Sequence, residues 1–316
     1  MDDEPVELHL KEPRNDKDCD ELWELAQKYE QGKSVPQDYD IARQIYEKCG
    51  SYGHAKSLNS LGWLYQNGLG VEKNINKAEE FFFMAAIGNS VEAMINLGNI
   101  YEFNEKNFDK VDWKTARMWY QRAALCGSEV GMFNYANCLH YGYGGPKDMG
   151  TAFFIFQRIA GKVKGAYFYL GLYYENGFVV HKDMKMATDM YLKGAKDEED
   201  GYCCTQLGNI CVDGRGIGMD EPDYEAAAKY YIAAICNDDP LSYANIAHMY
   251  ERGFVSGKKD KETAIKWYQL GAILGEEHCK DKLKKLGVDT AKNPDYDFPT
   301  LVKELYAQVD TSGESL

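Results

Sequence analysis

Apolar and small residues in this 316-residue chain are spaced by three, four and seven, intervals that share one face of a helix and not of a strand. The pattern itself recurs. A small residue stands at Ala26, Gly62, Gly98, Ala136, Gly171, Gly208 and Ala247, at intervals of 36, 36, 38, 35, 37 and 39. The second copy carries Ala55, Gly62, Tyr65 and Gly68, then Asn74, Ala78, Phe82, Ala85 and Ala86. Its first half predicts a helix A that ends at Gly68, and its second half a helix B that begins after Asn74. Each copy is therefore an αα-hairpin, and repetition at this period is the signature of a stacked solenoid.

The breaks are marked as regularly as the helices. Six residues past the small position stand Gly32, Gly68, Gly142, Gly177, Gly214 and Gly253, with Asn104 in the third copy. Glycine and asparagine are the residues that best tolerate the left-handed conformation closing a helix C-terminus. Asp38, Asn74, Asp112, Asp148, Asp183, Asp223 and Asp260 lie four residues before the helix-B alanines and predict N-caps, each worth about 1 kcal/mol against alanine. Those alanines, Ala42, Ala78, Ala116, Ala152, Ala187, Ala227 and Ala264, are each followed four residues later by a ring: Tyr46, Phe82, Tyr120, Phe156, Tyr191, Tyr231 and Tyr268. Positions four apart share a face, so alanine admits the next helix closely while the ring fills the space beside it. Helix A adds Tyr29, Tyr65, Tyr101, Leu139, Tyr174, Cys211 and Tyr250 to the expected core stripe.

The pattern A-x6-L-G-x2-Y-x2-G followed by A-x3-Y/F-x2-A-A resembles the Sel-1-like repeat family. Ala55, Leu61, Gly62, Tyr65, Gly68, Gly70, Ala78, Phe82, Ala85 and Ala86 match it almost letter for letter. The resemblance covers about residues 20–287. It departs in the third copy, where Asn-Glu-Lys-Asn occupies 104–107, and in the sixth, with Cys211 for tyrosine and a longer Gly214–Asp223 loop. The expected fold is an all-α, right-handed αα-superhelix of seven repeats at about 21–53, 54–90, 91–128, 129–164, 165–200, 201–238 and 239–275. A capping helix over 276–287 follows, with Cys279, Leu283 and Leu286 inward and charges outward; that polar end argues for a monomer. Acidic segments at 1–20 and 288–316 flank the array, and Leu301, Val302, Leu305, Tyr306 and Val309 form a short amphipathic stretch in the second.

Charge and cysteines narrow the setting. The net charge is −14, and residues 1–20 and 289–316 hold −9 of it. No basic track is present for nucleic acid, and no apolar run reaches bilayer length. The start lacks the basic and apolar regions of a secretory signal, and the nine cysteines do not recur as a pair per repeat. Reduced thiols in a cytoplasmic or nuclear protein are expected.

Reaction chemistry finds no foothold. Gly214-Arg215-Gly216-Ile217-Gly218 lacks the strand and the lysine–serine/threonine pair of a phosphate loop and occupies the interhelix turn of its repeat. Cys203, Cys204 and Cys211 have no complementary ligand pair, and the histidines have no His-x3-His spacing. No enzyme, cofactor or metal is expected. Binding should instead use the A helices, which tend to line the inner surface of such arrays. One step past the small position lie Gln27, Trp63, Asn99, Asn137, Leu172, Asn209 and His248; four steps past it lie Glu30, Gln66, Glu102, His140, Glu175, Val212 and Glu251. Amides can grip an extended backbone, and carboxylates favour basic residues. The candidate site is thus Trp63, Asn99, Asn137, Asn209, His248, Glu102, His140, Glu175 and Glu251. The plain alternative is a solvated helix face. The resemblance implies an adaptor or scaffold holding a protein or peptide partner. The competing readings are a regulatory module of an enzyme complex, such as a ubiquitin-ligase or kinase assembly, and a cryptic hydrolase.

Overall fold

A computed structural model of the chain describes residues 12–103, 111–215, 221–255 and 257–288, together with Thr300 and Lys303. Among them there are fifteen α-helices and no strand, in two compact units, Met1–Ala152 and Phe153–Leu316. The first unit holds the pairs α1 (Asp16–Gln31) and α2 (Tyr39–Ser51), α3 (Ala55–Asn67) and α4 (Ile75–Ile87), α5 (Val91–Phe103) and α6 (Trp113–Leu125), then α7 (Glu129–Tyr141). The division falls inside α8 (Met149–Ile159). The second unit holds α9 (Ala166–Asn176) and α10 (Met184–Asp197), α11 (Gly201–Asp213) and α12 (Tyr224–Cys236), α13 (Leu241–Arg252) and α14 (Lys261–Ile273), and ends with α15 (Glu277–Leu286). Within each unit a helix packs chiefly on the helices before and after it in sequence. Six of the A–B hairpins that the spacing predicts lie within one unit or the other, and α7 and α8 occupy the A and B positions of the remaining repeat.

The caps form as their residue types dictate. All seven Asp and Asn residues before the B helices accept a backbone amide three residues on, from Asp38 with Ile41 to Asp260 with Thr263. The six glycines after the A helices have φ between 63° and 82°. Gly68 shows why: at φ 70° its amide donates to the Leu64 carbonyl, a geometry that a Cβ would strain.

The core is built ring against glycine. Every helix-B ring, from Tyr46 to Tyr268, is at most 3 % exposed. A Cβ on Gly62 would lie 2.6 Å from the Phe82 ring; Gly98, Gly171 and Gly208 meet Tyr120, Tyr191 and Tyr231 in the same way. Fully burying a side chain such as Phe82 is worth about 1.5–3 kcal/mol. The helix-A rings contribute less than expected. Tyr250, Leu139 and Cys211 are buried, but Tyr29, Tyr65, Tyr101 and Tyr174 are only half-buried. Tyr65 stacks on Phe81 at 5.4 Å and carries Lys77 over its ring.

A second seam of small residues joins three of the B helices to the next A helix, at α6–α7, α10–α11 and α14–α15. A Cβ on Gly131 would lie 2.6 Å from the Ala123 methyl, and one on Gly271 2.5 Å from the Cys279 thiol. Cys203 meets Gly194 likewise, so α15 sits as the A helix of an eighth repeat. Its small position falls on Lys284, which is exposed, and no ring could pack there. Leu286, expected inward, is 42 % exposed.

At the amino end, α1 begins at Asp16, capped by Asn15, and so takes in the last residues of the acidic segment expected over 1–20. Asn104, the 216–220 part of the long loop, and Leu301, Val302, Leu305, Tyr306 and Val309 lie outside the described residues.

Candidate functional site

The nine candidate residues divide between the units: Trp63, Asn99, Glu102, Asn137 and His140 in the first, Glu175, Asn209, His248 and Glu251 in the second. All sit on A helices, where the repeat places them one or four steps past the small residue. The structure gives most of them a partner within their own repeat.

The carboxylates accept from the buried rings. Tyr46 donates to Glu30 at 2.7 Å, Tyr120 to Glu102, Tyr191 to Glu175 at 2.8 Å and Tyr268 to Glu251 at 3.2 Å. Burial, then the adjoining carboxylate, pushes the Tyr46 and Tyr120 hydroxyls far above their ordinary range, so they remain donors. The partners covary along the chain. Where the ring is Phe82 or Phe156, the residue four past the small position is Gln66 or His140. In the sixth repeat that position is Val212, and Tyr231 donates instead to Asn209 Oδ1 at 2.7 Å. Asn99 Oδ1 likewise accepts from Tyr120 at 2.8 Å. The sequence held this covariation in plain view, but sequence reasoning treated the polar face and the core separately.

The remaining members differ in exposure. Trp63 is 38 % exposed. Asn137 is half-buried, and its Oδ1 has no hydrogen-bond partner among the described residues. His140 is 7 % exposed, with its ring edge-on to Tyr141 at 4.6 Å. Burial and then Lys147 lower its pKa, which keeps the imidazole neutral. His140 is therefore a packed group, not part of a surface ladder. His248 is exposed and accepts from Arg252 at 3.3 Å; desolvation, then Arg252 and Lys282, lower its pKa. Two of the glutamates also meet cations. Arg215 reaches Glu175 at 3.4 Å and Lys282 reaches Glu251 at 3.2 Å. Burial acts to raise the Glu251 carboxyl, but Lys282 and Tyr268 hold it below its ordinary value.

Two surfaces escaped the sequence reading. Trp113 stacks on Tyr143 at 4.1 Å and Tyr143 on Tyr141 at 5.1 Å, where the first residue of one helix B meets the next interhelix turn; Tyr224 and Phe254 repeat the contact at 4.1 Å. On the B side, Phe83, Met84 and Ile87 of α4 and Met118 and Leu125 of α6 are 44–81 % exposed. The run Phe81-Phe82-Phe83-Met84 could have signalled this, since consecutive helical residues cannot all face one core.

Among the described residues no group of three or more His, Cys, Asp or Glu side chains is placed to hold a metal ion. No helix among them is long and apolar enough to cross a membrane. All nine cysteines are free thiols, and only Cys126 and Cys236 are exposed.

The comparisons with known proteins agree with the architecture. The family model described as Sel1 repeat matches residues 22–48, 55–90, 91–128, 130–161, 165–198, 201–239 and 240–276. A Sel1 repeat protein from Oxalobacter formigenes is 26 % identical, with a TM-score of 0.66 over 82 % of this chain and 100 % of that one. A protective antigen of uropathogenic Escherichia coli with an SLR fold has a TM-score of 0.64 at 22 % identity, covering 94 % of this chain and 62 % of that one, and so speaks for the fold alone. The DAP3-binding cell death enhancer 1 of Rattus norvegicus is 25 % identical over 66 % of this chain and 40 % of its own length. The chitin synthase regulator SKT5 of Saccharomyces cerevisiae is 23 % identical over 84 % of this chain and 39 % of its own. The chain thus spans about two-fifths of these curated relatives.

Proposed function

The chain belongs to the Sel1 repeat family, and we propose that it is a non-catalytic adaptor which holds a protein or peptide partner on the face formed by its A helices. The observation that carries this reading is Trp63, a 38 % exposed tryptophan on a helix-A row otherwise occupied in the first unit by Gln27, Asn99 and Asn137. Tryptophan is enriched among the side chains that dominate binding energy, and amides offer both donors and acceptors to an extended backbone. The partner carries basic residues, since the next row supplies carboxylates. The relatives support a role of this kind, one being described as DAP3-binding and another as a regulator of chitin synthase. Nine free thiols suit a reducing compartment, the cytoplasm, and the exposed Lys284 suits a monomer.

A second reading follows from the exposed apolar side chains of α4 and α6, because contiguous patches of that kind mark interaction surfaces. Affinity capture separates the two. Wild type and Phe83→Ser should retain a stoichiometric protein partner at modest salt, and Trp63→Ser should lose it. The reverse pattern moves the site to the B helices. Turnover of a small molecule by the chain alone would end the adaptor reading.

A further inference from the structure

Four of the seven repeats carry the tyrosine–glutamate pair, and the two in the second unit also carry a cation from this same chain. Arg215 Nη1 lies 3.4 Å from Glu175 Oε1, while its other nitrogen reaches Asp213. Lys282 Nζ lies 3.2 Å from Glu251 Oε2 and sits over the Tyr268 ring, 5.8 Å from its centre. Both cations come from the helix or turn that follows the pair: Arg215 stands seven past Gly208, and Lys282 stands two before Lys284. The pair in each case offers a half-buried carboxylate, with a ring face beside it at Tyr268, which together suit a lysine or arginine head.

The first unit repeats this geometry, and among its described residues no cation joins it. Tyr46 donates to Glu30 at 2.7 Å, matching the 2.8 Å of Tyr191 and Glu175, and Tyr120 donates to Glu102. Among the described residues no lysine or arginine pairs with Glu30 or Glu102. The sequence explains the difference. The positions that supply Arg215 and Lys282 are Leu69 and Ser60 in the second repeat, and Tyr143 and Asn134 in the fourth. A carboxylate that accepts from a neutral phenol keeps its full charge, and partial burial reduces solvent screening around it.

We propose that Tyr46–Glu30 and Tyr120–Glu102 receive two basic side chains of the partner, which therefore bears lysines or arginines spaced to reach repeats one and three. Repeat two, with Gln66 and Phe82, offers no such pocket and sets the gap. The inference rests on the helix-A reading and narrows its partner to a doubly basic segment.

The probe is a set of fluorescent Gly/Ser peptides bearing two arginines at varied separation, titrated by anisotropy against the full chain. Citrulline versions serve as neutral controls. One separation should bind best, and added salt should weaken it. Glu30→Gln and Glu102→Gln keep an acceptor for the tyrosine hydroxyl, and circular dichroism confirms their folding. Each should weaken binding about tenfold, and the pair should abolish it. Glu225→Gln, on the exposed face of α12, should leave it within twofold, whereas Lys282→Ala, which uncovers Glu251, should create an additional arginine site. Equal affinity of wild type and the double variant, or equal binding of the citrulline peptides, would overturn the proposal. If Trp63→Ser abolishes binding that the double variant retains, the pockets are wrong and the helix-A reading stands. If neither matters, the failure lies in the helix-A reading itself.

Discussion

Asn99 and Asn209 occupy the same repeat position, yet the structure assigns them unequal weight. Among the described residues the Tyr231 hydroxyl donates to Asn209 alone, whereas Tyr120 has both Asn99 and Glu102 within reach. Leaving a buried hydroxyl without an acceptor costs about 1–3 kcal/mol. Asn209→Ala should therefore lower stability by about that amount, and Asn99→Ala by clearly less; urea titration followed by circular dichroism compares them. Equal losses would mean that Glu102 does not share the Tyr120 proton. The same pairing changes how the polar face is understood. Much of what the spacing presents as a ligand ladder is the outer half of a tyrosine clamp, and only its residual charge is left for a partner.

Helices here are delimited by side chains that titrate. Hydrogen bonds from the Thr115 side chain and backbone hold Asp112 below its ordinary value of 3.8, and those of Thr263, backbone first, do the same for Asp260. A depressed carboxylate contributes stability that is full above its unfolded value and is lost as pH falls through its native one. Asp112→Asn combined with Asp260→Asn keeps the cap acceptors but removes the titration. Between about pH 4 and about pH 2 the melting temperature of that variant should fall less than that of the wild type. Parallel curves would show that these caps do not set the acid sensitivity. At α15, Lys284 in place of a small residue puts an exposed charged side chain where a ring would otherwise lie.

Across the whole molecule, stability should be local. Helices in each unit pack chiefly on their sequence neighbours, so repeats are coupled mainly to the next repeat. Gly68→Val puts a β-branched residue at φ 70°. In hydrogen exchange its effect should appear in repeats one to three and leave α13 and α14 unchanged. Uniform acceleration along the chain would mean one cooperative unit. The acidic balance belongs to this scale as well, since a net charge of −14 draws basic partners and repels acidic ones at low salt.

Local chemistry was legible in the chain: helix period, seven aspartate or asparagine caps, six left-handed glycines and the glycine–ring core all follow from residue type at fixed spacing. They are short-range, so a repeat written seven times states them seven times. The tertiary structure decided how the faces are used, because that depends on partners many residues away. Packing buried His140, left Leu286 and Phe83 in solvent, and turned Glu30, Glu102, Glu175 and Glu251 toward tyrosines 16 to 18 positions downstream. Only there, among the described residues, did two of these glutamates acquire a cation and two not, a difference that follows what the next repeat brings within reach.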